Sequence, residues 1–438
     1  MANMKSPRLF SVIFLQMVGV LFILVMIDIL FVPGPHNNAG MTLPNPTADG
    51  SPQFIQGLSR LINVPAEQGE TVTPISEGEE FLPDLLTAIE NASSSIDFTT
   101  YPWSDGVMSG KVIAALTSAA QRGVPVRVLI DSLGGNTISD ADLASLRKAG
   151  AQVERYHQFS ILNPLQYDER DHMRSIVIDG KIGFLGGMGI GDDWLGDGVA
   201  SGWSDTMFEV KDEMAESLQG AFAALWNQTT GEVLAGPIFY PPLSAAPEIS
   251  ATSSTTNTFL HIISIPSENR EPIRDTFLFT ILNAQKSIYI ISPFIIPDQD
   301  ILAALENKAR SGVDVEIMSP GNETNSVLLR DAWRSDYSGL LAAGVKIYEY
   351  EPQMIHTKIM VADGAWSIIG SANLDSRSEI LNDENIMGIE NSTLAAQLQN
   401  IFAQDASNSD QITQVQWDKQ NFIVKLWYSS IKLFAKQL

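Results

Sequence analysis

The sequence predicts an α/β fold: two tandem, similar α-β-α halves forming a pseudo-twofold repeat, behind a single N-terminal transmembrane helix. Three observations predict it. A decapeptide frame occurs twice, as "DHMRSIVIDG" at 171–180 and "IHTKIMVADG" at 355–364. Helix-like and strand-like segments alternate around each copy in the same order, the pattern of a mixed or largely parallel sheet covered by helices. Leu9 to Val32 is an almost unbroken apolar run, long enough to cross a bilayer as a helix.

Taken in order, residues 1–8 form a short N-terminus carrying Lys5 and Arg8, and no further Lys or Arg occurs until Arg60. The positive-inside rule therefore keeps 1–8 cytoplasmic, makes 9–32 a single-pass span and puts the catalytic part on the extracytoplasmic side. Residues 33–70 are polar and Pro/Gly-bearing and read as a linker. The first half, 71–240, opens with "LPDLLTAIENASSSIDFTTYPW", an amphipathic helix followed by a strand. The second half, 259–405, has the same layout in "DTFLFTILNAQKSIYIISPFI". "AAQRGVPVRVLI" likewise matches "KARSGVDVEIMS", and "AGAQVERY" matches "AGVKIYEY", each a glycine-capped helix end leading into a strand. A Pro/Ser/Thr-rich linker, 241–258, separates the halves. Residues 406–438 form an amphipathic tail in which Phe422, Ile423, Leu426, Trp427, Ile431 and Phe434 fall near one helical face, with lysines largely off it. Such a tail lies on anionic lipid or docks on the body as a terminal helix.

Composition narrows the chemistry. The 438 residues carry 51 acidic and 27 basic side chains, a formal charge of -24, which repels phosphate backbones and makes nucleic acid an unlikely partner. There are no cysteines, so disulfides, thiolate metal sites and cysteine nucleophiles are excluded together. The acidic pairs Asp192-Asp193 and Asp383-Glu384 lack His ligands or an Asp/Asn-Gly loop and read as solvated turns, so no metal and no cofactor is expected.

The repeated decapeptide carries the chemistry. A strand puts residues i and i+2 on one face, so His356 and Lys358 point together while Thr357, Ile359 and Val361 point the other way. Asp363-Gly364 signals a hairpin turn, with "AWSIIGSAN" returning and bringing Ser371 or Ala372 opposite His356 and Asn373 just beyond. An imidazole, an ammonium, a hydroxyl and a carboxamide gathered in one hairpin suit a tetrahedral phosphate. The first copy pairs His172 with Arg174 and turns at Asp179-Gly180, but Gly187 and Gly189 stand where the second copy has Ser371 and Asn373. If the pseudo-twofold brings the hairpins together, two histidines face one phosphorus, one attacking while the other protonates the leaving oxygen. The remaining histidines, His36, His157 and His261, share no such frame and read as surface or structural residues.

These residues resemble the phospholipase D superfamily, whose signature is His-x-Lys-x4-Asp followed by Gly-Ser/Gly-x-Asn, used twice per site. Within it the chain looks similar to bacterial cardiolipin synthases and related phosphatidyltransferases, over most of residues 70–405. The carriers include "DHMRSIVIDGKIGFLGGMGIGDDW", "GWSDTMFEV", "AGVKIYEYEPQMIHTKIMVADGAWSIIGSANLDSRS" and "LNDENIMGI". The resemblance implies a metal-independent site between two similar halves and a covalent phosphohistidine. It implies His172 as nucleophile and His356 as general acid/base, with Lys358, Asn373 and Ser371, and Arg174 in the first copy, binding phosphate. Asp205 and Glu384 would orient the opposite histidines, and Asp179 and Asp363 would support the motifs at their turns. The substrate implied is a phospholipid such as phosphatidylglycerol, with a second lipid's alcohol as acceptor in the transferases.

The first motif departs from the signature. Arg keeps the charge but is longer and planar, and losing one neutral donor costs about 3 kcal/mol of transition-state stabilisation. Slowed or re-tuned activity is the expectation. A single-stranded nucleic acid phosphodiesterase and a catalytically weakened lipid-binding pseudoenzyme are the alternatives.

Overall fold

The computed structural model describes residues 40–158, 169–196, 202–242, 257–266 and 270–433. The expected N-terminus 1–8, the span 9–32 and nearly all of the linker 241–258 lie outside these residues. Among the described residues no helix is long and apolar enough to cross a membrane.

The chain begins with helix α1 (Pro52–Ile62) and the short strand β1 (Glu67–Gly69). The first half follows as β2 (Val72–Ser76), α2 (Gly78–Asn91), β3 (Ile96–Thr100), α3 (Val107–Gln121), β4 (Val126–Asp131), α4 (Asp140–Ala149) and β5 (Gln152–Tyr156). It closes with β6 (Arg170–Asp171), β7 (Ser175–Ile178), β8 (Ile182–Gly186), β9 (Thr206–Lys211) and α5 (Glu213–Thr230). The second half runs β10 (Asn257–Ser264), α6 (Pro272–Asn283), β11 (Ser287–Ile291), β12 (Ile295–Ile296), α7 (Gln299–Arg310), β13 (Asp314–Pro320), α8 (Val327–Arg334), α9 (Tyr337–Ala343) and β14 (Lys346–Tyr350). Then come β15 (Ile359–Ala362), β16 (Trp366–Gly370), β17 (Leu374–Asp375), α10 (Ser376–Ile380), β18 (Asn382–Glu390) and α11 (Ser392–Ala406). The chain ends in β19 (Ser409–Ile412), α12 (Gln414–Asp418) and α13 (Phe422–Lys432).

The first sheet has the order β2-β9-β8-β7-β3-β4-β5 and the second β10-β18-β16-β15-β11-β13-β14, extended by β1 and β19 at its edges. The two orders correspond strand for strand: β3-β4-β5 and β11-β13-β14 are parallel, and the hairpin strands beside them are antiparallel. Both sheets are therefore mixed. The parallel strands are joined by helical crossovers, which antiparallel hairpins do not need. Val177 and Leu185 of the first hairpin and their counterparts Val361 and Ile369 of the second belong to one buried cluster joining the halves.

Two boundary expectations are corrected. Residues 52–62, read as linker, form α1: the Ser51 hydroxyl accepts the Phe54 N–H, Pro52 opens the helix, and Asn63 closes it in the left-handed region. Its apolar face buries Phe54 against Phe279 and Trp366, with ring centroids 5.3 and 5.1 Å away. Burial of this ring outweighs the linker-like composition around it. Phe54→Ala is expected to cost about 3–5 kcal/mol, read as a fall in Tm and denaturation midpoint. The tail also begins later than expected, because Ser409–Ile412 joins the second sheet as an edge strand on β14.

Candidate active site

Each hairpin turns on an Asp-Gly pair with positive φ at both residues, 57° and 64° at Asp179-Gly180 and 55° and 67° at Asp363-Gly364. That geometry matches the twist of the flanking strands. Ile176 faces Phe184 in the first hairpin and Met360 faces Ile368 in the second, so the register is the same in both. The turn aspartates act as fasteners at the turns. Asp179 accepts the N–H groups of Ser93, Ser94 and Ser95, and Asp363 those of Gln285, Lys286 and Ser287. They sit at the far ends of the strands whose other ends carry the histidines.

The histidines are held by the opposite half, in matching fashion. The His172 N–H donates to the Asp383 carbonyl (3.0 Å), and the next residue, Glu384, receives the His172 Nδ1 at 2.7 Å. The His356 N–H donates to the Ser204 carbonyl (2.6 Å), and the next residue, Asp205, receives the His356 Nδ1 at 2.8 Å. Asp205, whose carboxyl stays ionised, only accepts, so His356 Nδ1 carries the proton and its Nε2 keeps the lone pair; Glu384 in its carboxylate form sets the same tautomer in His172. Asp383-Glu384 is thus not a solvated turn: both side chains are fully buried in β18, which also pairs with β6 across the halves. The other pair is a cap rather than a free turn, with Asp192 accepting the N–H groups of Val107 and Met108 at the start of α3.

The bases follow the same symmetry. Lys358 Nζ donates to the His356 carbonyl at 2.8 Å, and Arg174 Nη1 to the His172 carbonyl at 2.6 Å. Arg174 is fully buried, and its Nε and Nη2 have no partner among the described residues. Asn373, nearly buried, keeps its Oδ1 without a partner and lines a pocket of about 160 Å³ together with Tyr101, Arg170, His172, Phe294 and Arg377. Ser371 is corrected: its hydroxyl donates to Glu384 Oε2 at 2.5 Å and accepts the Asn385 N–H, so it holds the acid rather than facing the pocket.

Gly187 and Gly189 have a physical reason. A Cβ on Gly187 would strike the Asp205 carboxylate, and one on Gly189 would strike the Pro102 backbone. In this half the space of the missing side chains is filled by Asp205, which also takes the Trp194 Nε1–H at 3.0 Å, and by the Tyr101-Pro102 loop. Trp194 and Trp203 flank the His356 ring at 5.6 and 5.4 Å, and Tyr101 flanks His172 at 5.0 Å. None of these three aromatics was predicted. For Tyr101 a signal existed, since "YPW" follows β3 where "SPF" follows β11; the tryptophans lie in loops with no counterpart pattern.

Electrostatics divide the site sharply. Burial, then the Arg174 and Lys358 charges, hold His172 well below its ordinary pKa. Burial and Lys358 bring His356 down to about 3, so both imidazoles are neutral nucleophiles or bases at neutral pH. Burial pushes Glu384 up to about 7, against the Arg174 charge and the Ser371 hydrogen bond. Burial would also raise Asp205, but His356, Lys358 and the Trp194 N–H outweigh it and keep its pKa low. In a strongly acidic protein, Arg170 and Arg377 line this small pocket and the charges of Arg174, Lys358 and Arg377 act on its His172, which focuses positive potential locally. Among the described residues no cluster of His, Asp and Glu could hold a metal ion. His261 is buried and bonded to Ser217, and His157 stacks on Tyr156; neither joins the site.

Two similar halves that cross-orient a pair of histidines beside buried cations define an enzyme of the phospholipase D superfamily, and the comparisons agree. A family model described as cardiolipin synthase, PLD-like domain, matches residues 85–226 and 278–406. The cardiolipin synthase of Geobacillus thermodenitrificans (strain NG80-2) is 32% identical over 376 residues, 85% of this chain and 74% of that protein. Cardiolipin synthase 1 of Bacillus anthracis is 30% identical over 409 residues, 91% of this chain and 78% of that protein. The crystal structure of phosphatidylserine synthase from Haemophilus influenzae Rd KW20 superposes with a TM-score of 0.67 at 14% identity, covering 88% of this chain and 100% of that one, a likeness of fold. The chain belongs to the cardiolipin synthase family of phospholipase D-like phosphatidyltransferases.

Proposed function

We propose that this protein is a membrane-anchored phosphatidyltransferase that exchanges the alcohol of a phospholipid phosphodiester through a phosphohistidine, with phosphatidylglycerol as donor. His172 Nε2 attacks phosphorus while Glu384 accepts the hydrogen bond of its Nδ1–H. His356 delivers a proton to the departing glycerol oxygen, so a P–N bond forms as a P–O bond breaks. The hydroxyl of a second lipid then gives its proton back to His356 and attacks phosphorus, which restores His172 and makes a new phosphodiester. Arg174, Lys358 and Asn373 stabilise the charge on the non-bridging oxygens. An entering phosphate anion offsets the Lys358 and Arg174 charges that depress His356 and so favours its protonated, acidic form.

The observation that carries this reading is the buried Arg174 guanidinium with Nε and Nη2 unpartnered. Donors left without a partner in a buried site are costly, and an incoming phosphate satisfies them. The same observation favours an active enzyme over a pseudoenzyme. The test supplies purified full-length protein with labelled phosphatidylglycerol, with and without a lipid acceptor, and in parallel with a 5′-labelled oligonucleotide. Lipid turnover is expected, lost in His172→Ala and in His356→Ala; cleavage of the oligonucleotide alone would sink the proposal.

A pH profile follows from Lys358. Burial lowers it to about 7, Arg174 adding to the shift and Asp205 opposing it. The ammonium that binds phosphate is therefore present below that pH and lost above it. In the free enzyme kcat/KM is expected to fall as pH rises past this value, by roughly ten-fold per unit at the limit. Lys358→Arg stays charged and is expected to lack this alkaline limb whatever its absolute rate. A flat wild-type profile up to pH ~9 would contradict the assignment.

A further inference from the structure

Helix α13 has two apolar faces, and among the described residues one packs on the protein while the other is exposed. Val424, Tyr428 and Ile431 turn inward: Tyr428 is buried and stacks on Trp417 at 5.9 Å, and Ile431 packs on the cluster of Ile296 and Ala332. The opposite face carries Phe422, Ile423, Leu426 and Leu433, which are 76, 72, 55 and 71% exposed; Trp427, 50% exposed, lies at its edge and donates its Nε1–H to Asp331 of α8 at 2.9 Å. Helix α8, against which α13 lies, adds Val327 and Leu328 at 51 and 40%. The next residue, Leu329, packs in the same small cluster as Ile431 and lines the pocket that holds His172. The exposed apolar surface therefore begins at the mouth of the active site and spreads over α13.

Charge identifies what covers it. From Lys419 to Leu438 the chain has four lysines and no acidic residue, in a protein of net charge -24. Lys425 lies beside the helix over the Trp417 ring, at 5.4 Å, whereas Lys432 is paired with Asp336 of the body. An apolar, aromatic-bearing face flanked by lysines fits the headgroup–acyl boundary of an anionic bilayer. A second copy of this chain would bring another large negative charge to the same face. A protein partner seated on α8 would also cover the rim through which substrate enters.

We propose that the outward face of α13, with the first turn of α8, inserts into the surface of an anionic bilayer and holds the pocket mouth against the lipid. This deepens the phosphatidyltransferase reading and rests on it for the identity of what enters the pocket. A donor lipid then reaches His172 by partial withdrawal of its headgroup, without its chains leaving the membrane.

Residues 9–32 are read as a membrane span, so bulk vesicle binding does not report on α13, and the test must be local. The chain has no cysteine, so Ser430→Cys, exposed on the outward face between Leu426 and Leu433, takes a single nitroxide label; Gln121→Cys on α3 is the control. Full-length protein is reconstituted into vesicles of phosphatidylethanolamine and phosphatidylglycerol, and into phosphatidylcholine vesicles. In the anionic vesicles the Ser430→Cys label is expected to lose about five-fold or more of its access to a water-soluble nickel chelate, with less effect in phosphatidylcholine and none at Gln121→Cys. A label that stays aqueous in both vesicles overturns the proposal. So does one shielded to the same degree in detergent at high protein concentration, which signals a second copy instead. The variant F422S/I423S/L426S/L433S is expected to turn over long-chain phosphatidylglycerol in vesicles about ten-fold more slowly while leaving a short-chain, monomeric phosphatidylglycerol unaffected. Equal rates on both substrates overturn the proposal. A buried label with no turnover of either lipid upholds the docking and refutes the enzymatic reading, so the two failures are distinct.

Discussion

His172→Ala is expected to abolish turnover, with a loss on the order of 10⁴-fold or more, because it removes both the proposed nucleophile and the group that Glu384 orients. His356→Ala is expected to lose as much with a natural lipid, whose alkoxide leaving group needs a proton. The two variants separate on an aryl phosphodiester, since a nitrophenolate leaves without one. His356→Ala should then release a stoichiometric burst of nitrophenolate and accumulate a phosphohistidine visible as a phosphoramidate by phosphorus NMR. His172→Ala should show neither. The reverse pattern would make His356 the nucleophile. The halves exchange partners: each imidazole takes its carboxylate and a backbone hydrogen bond from the opposite half.

Rebuilding the first motif toward the signature is expected to damage the enzyme. Gly187→Ser places its Cβ against the Asp205 carboxylate, which then leaves His356 Nδ1 and the Trp194 N–H. Loss of that orienting bond should lower kcat by about 10–100-fold, in the range measured when groups that orient a functional histidine are removed. Gly189→Asn meets the Pro102 backbone and should lower Tm as well. Arg174→Lys is expected to lower turnover, not raise it, because a lysine cannot replace the unpartnered Nε and Nη2 with one ammonium. A gain of activity in Gly187→Ser or Arg174→Lys would show that the first motif had merely decayed. As the structure stands, a glycine pair, a close aspartate and an arginine fill that half together.

Much of this was legible residue by residue. The Asp-Gly turns and strand alternation set the hairpin register, and with it the shared face of His356 and Lys358 and the position of Asn373 past the strand end. The duplicated frame predicts the pseudo-twofold seen in the matching strand orders. Helix α1 was legible too, through Ser51, Pro52 and the spacing of Phe54, Ile55, Leu58 and Ile62, but the surrounding Pro and Gly residues hid it. The tail was read as either lipid-facing or docked on the body; α13 packs one apolar face on the protein and leaves another exposed.

Other features lay beyond a local reading. The turn aspartates share a motif with the histidines, yet a strand carries its two ends far apart, so Asp179 and Asp363 fasten loops instead of joining the chemistry. Ser371 sits on the correct hairpin, but its hydroxyl is claimed by Glu384 from the neighbouring strand. Trp194, Trp203 and Tyr101 reach the histidines from loops that no periodicity describes. By itself the sequence determined the duplication, the hairpins and which imidazoles and cations the halves present, because these follow from alternation and turn chemistry within a few residues. Only the tertiary structure decided which carboxylate meets which histidine, why Gly187 and Gly189 are small, and where the pocket opens. Those depend on how two sheets pack across a buried interface, where space already filled by one side chain is denied to another.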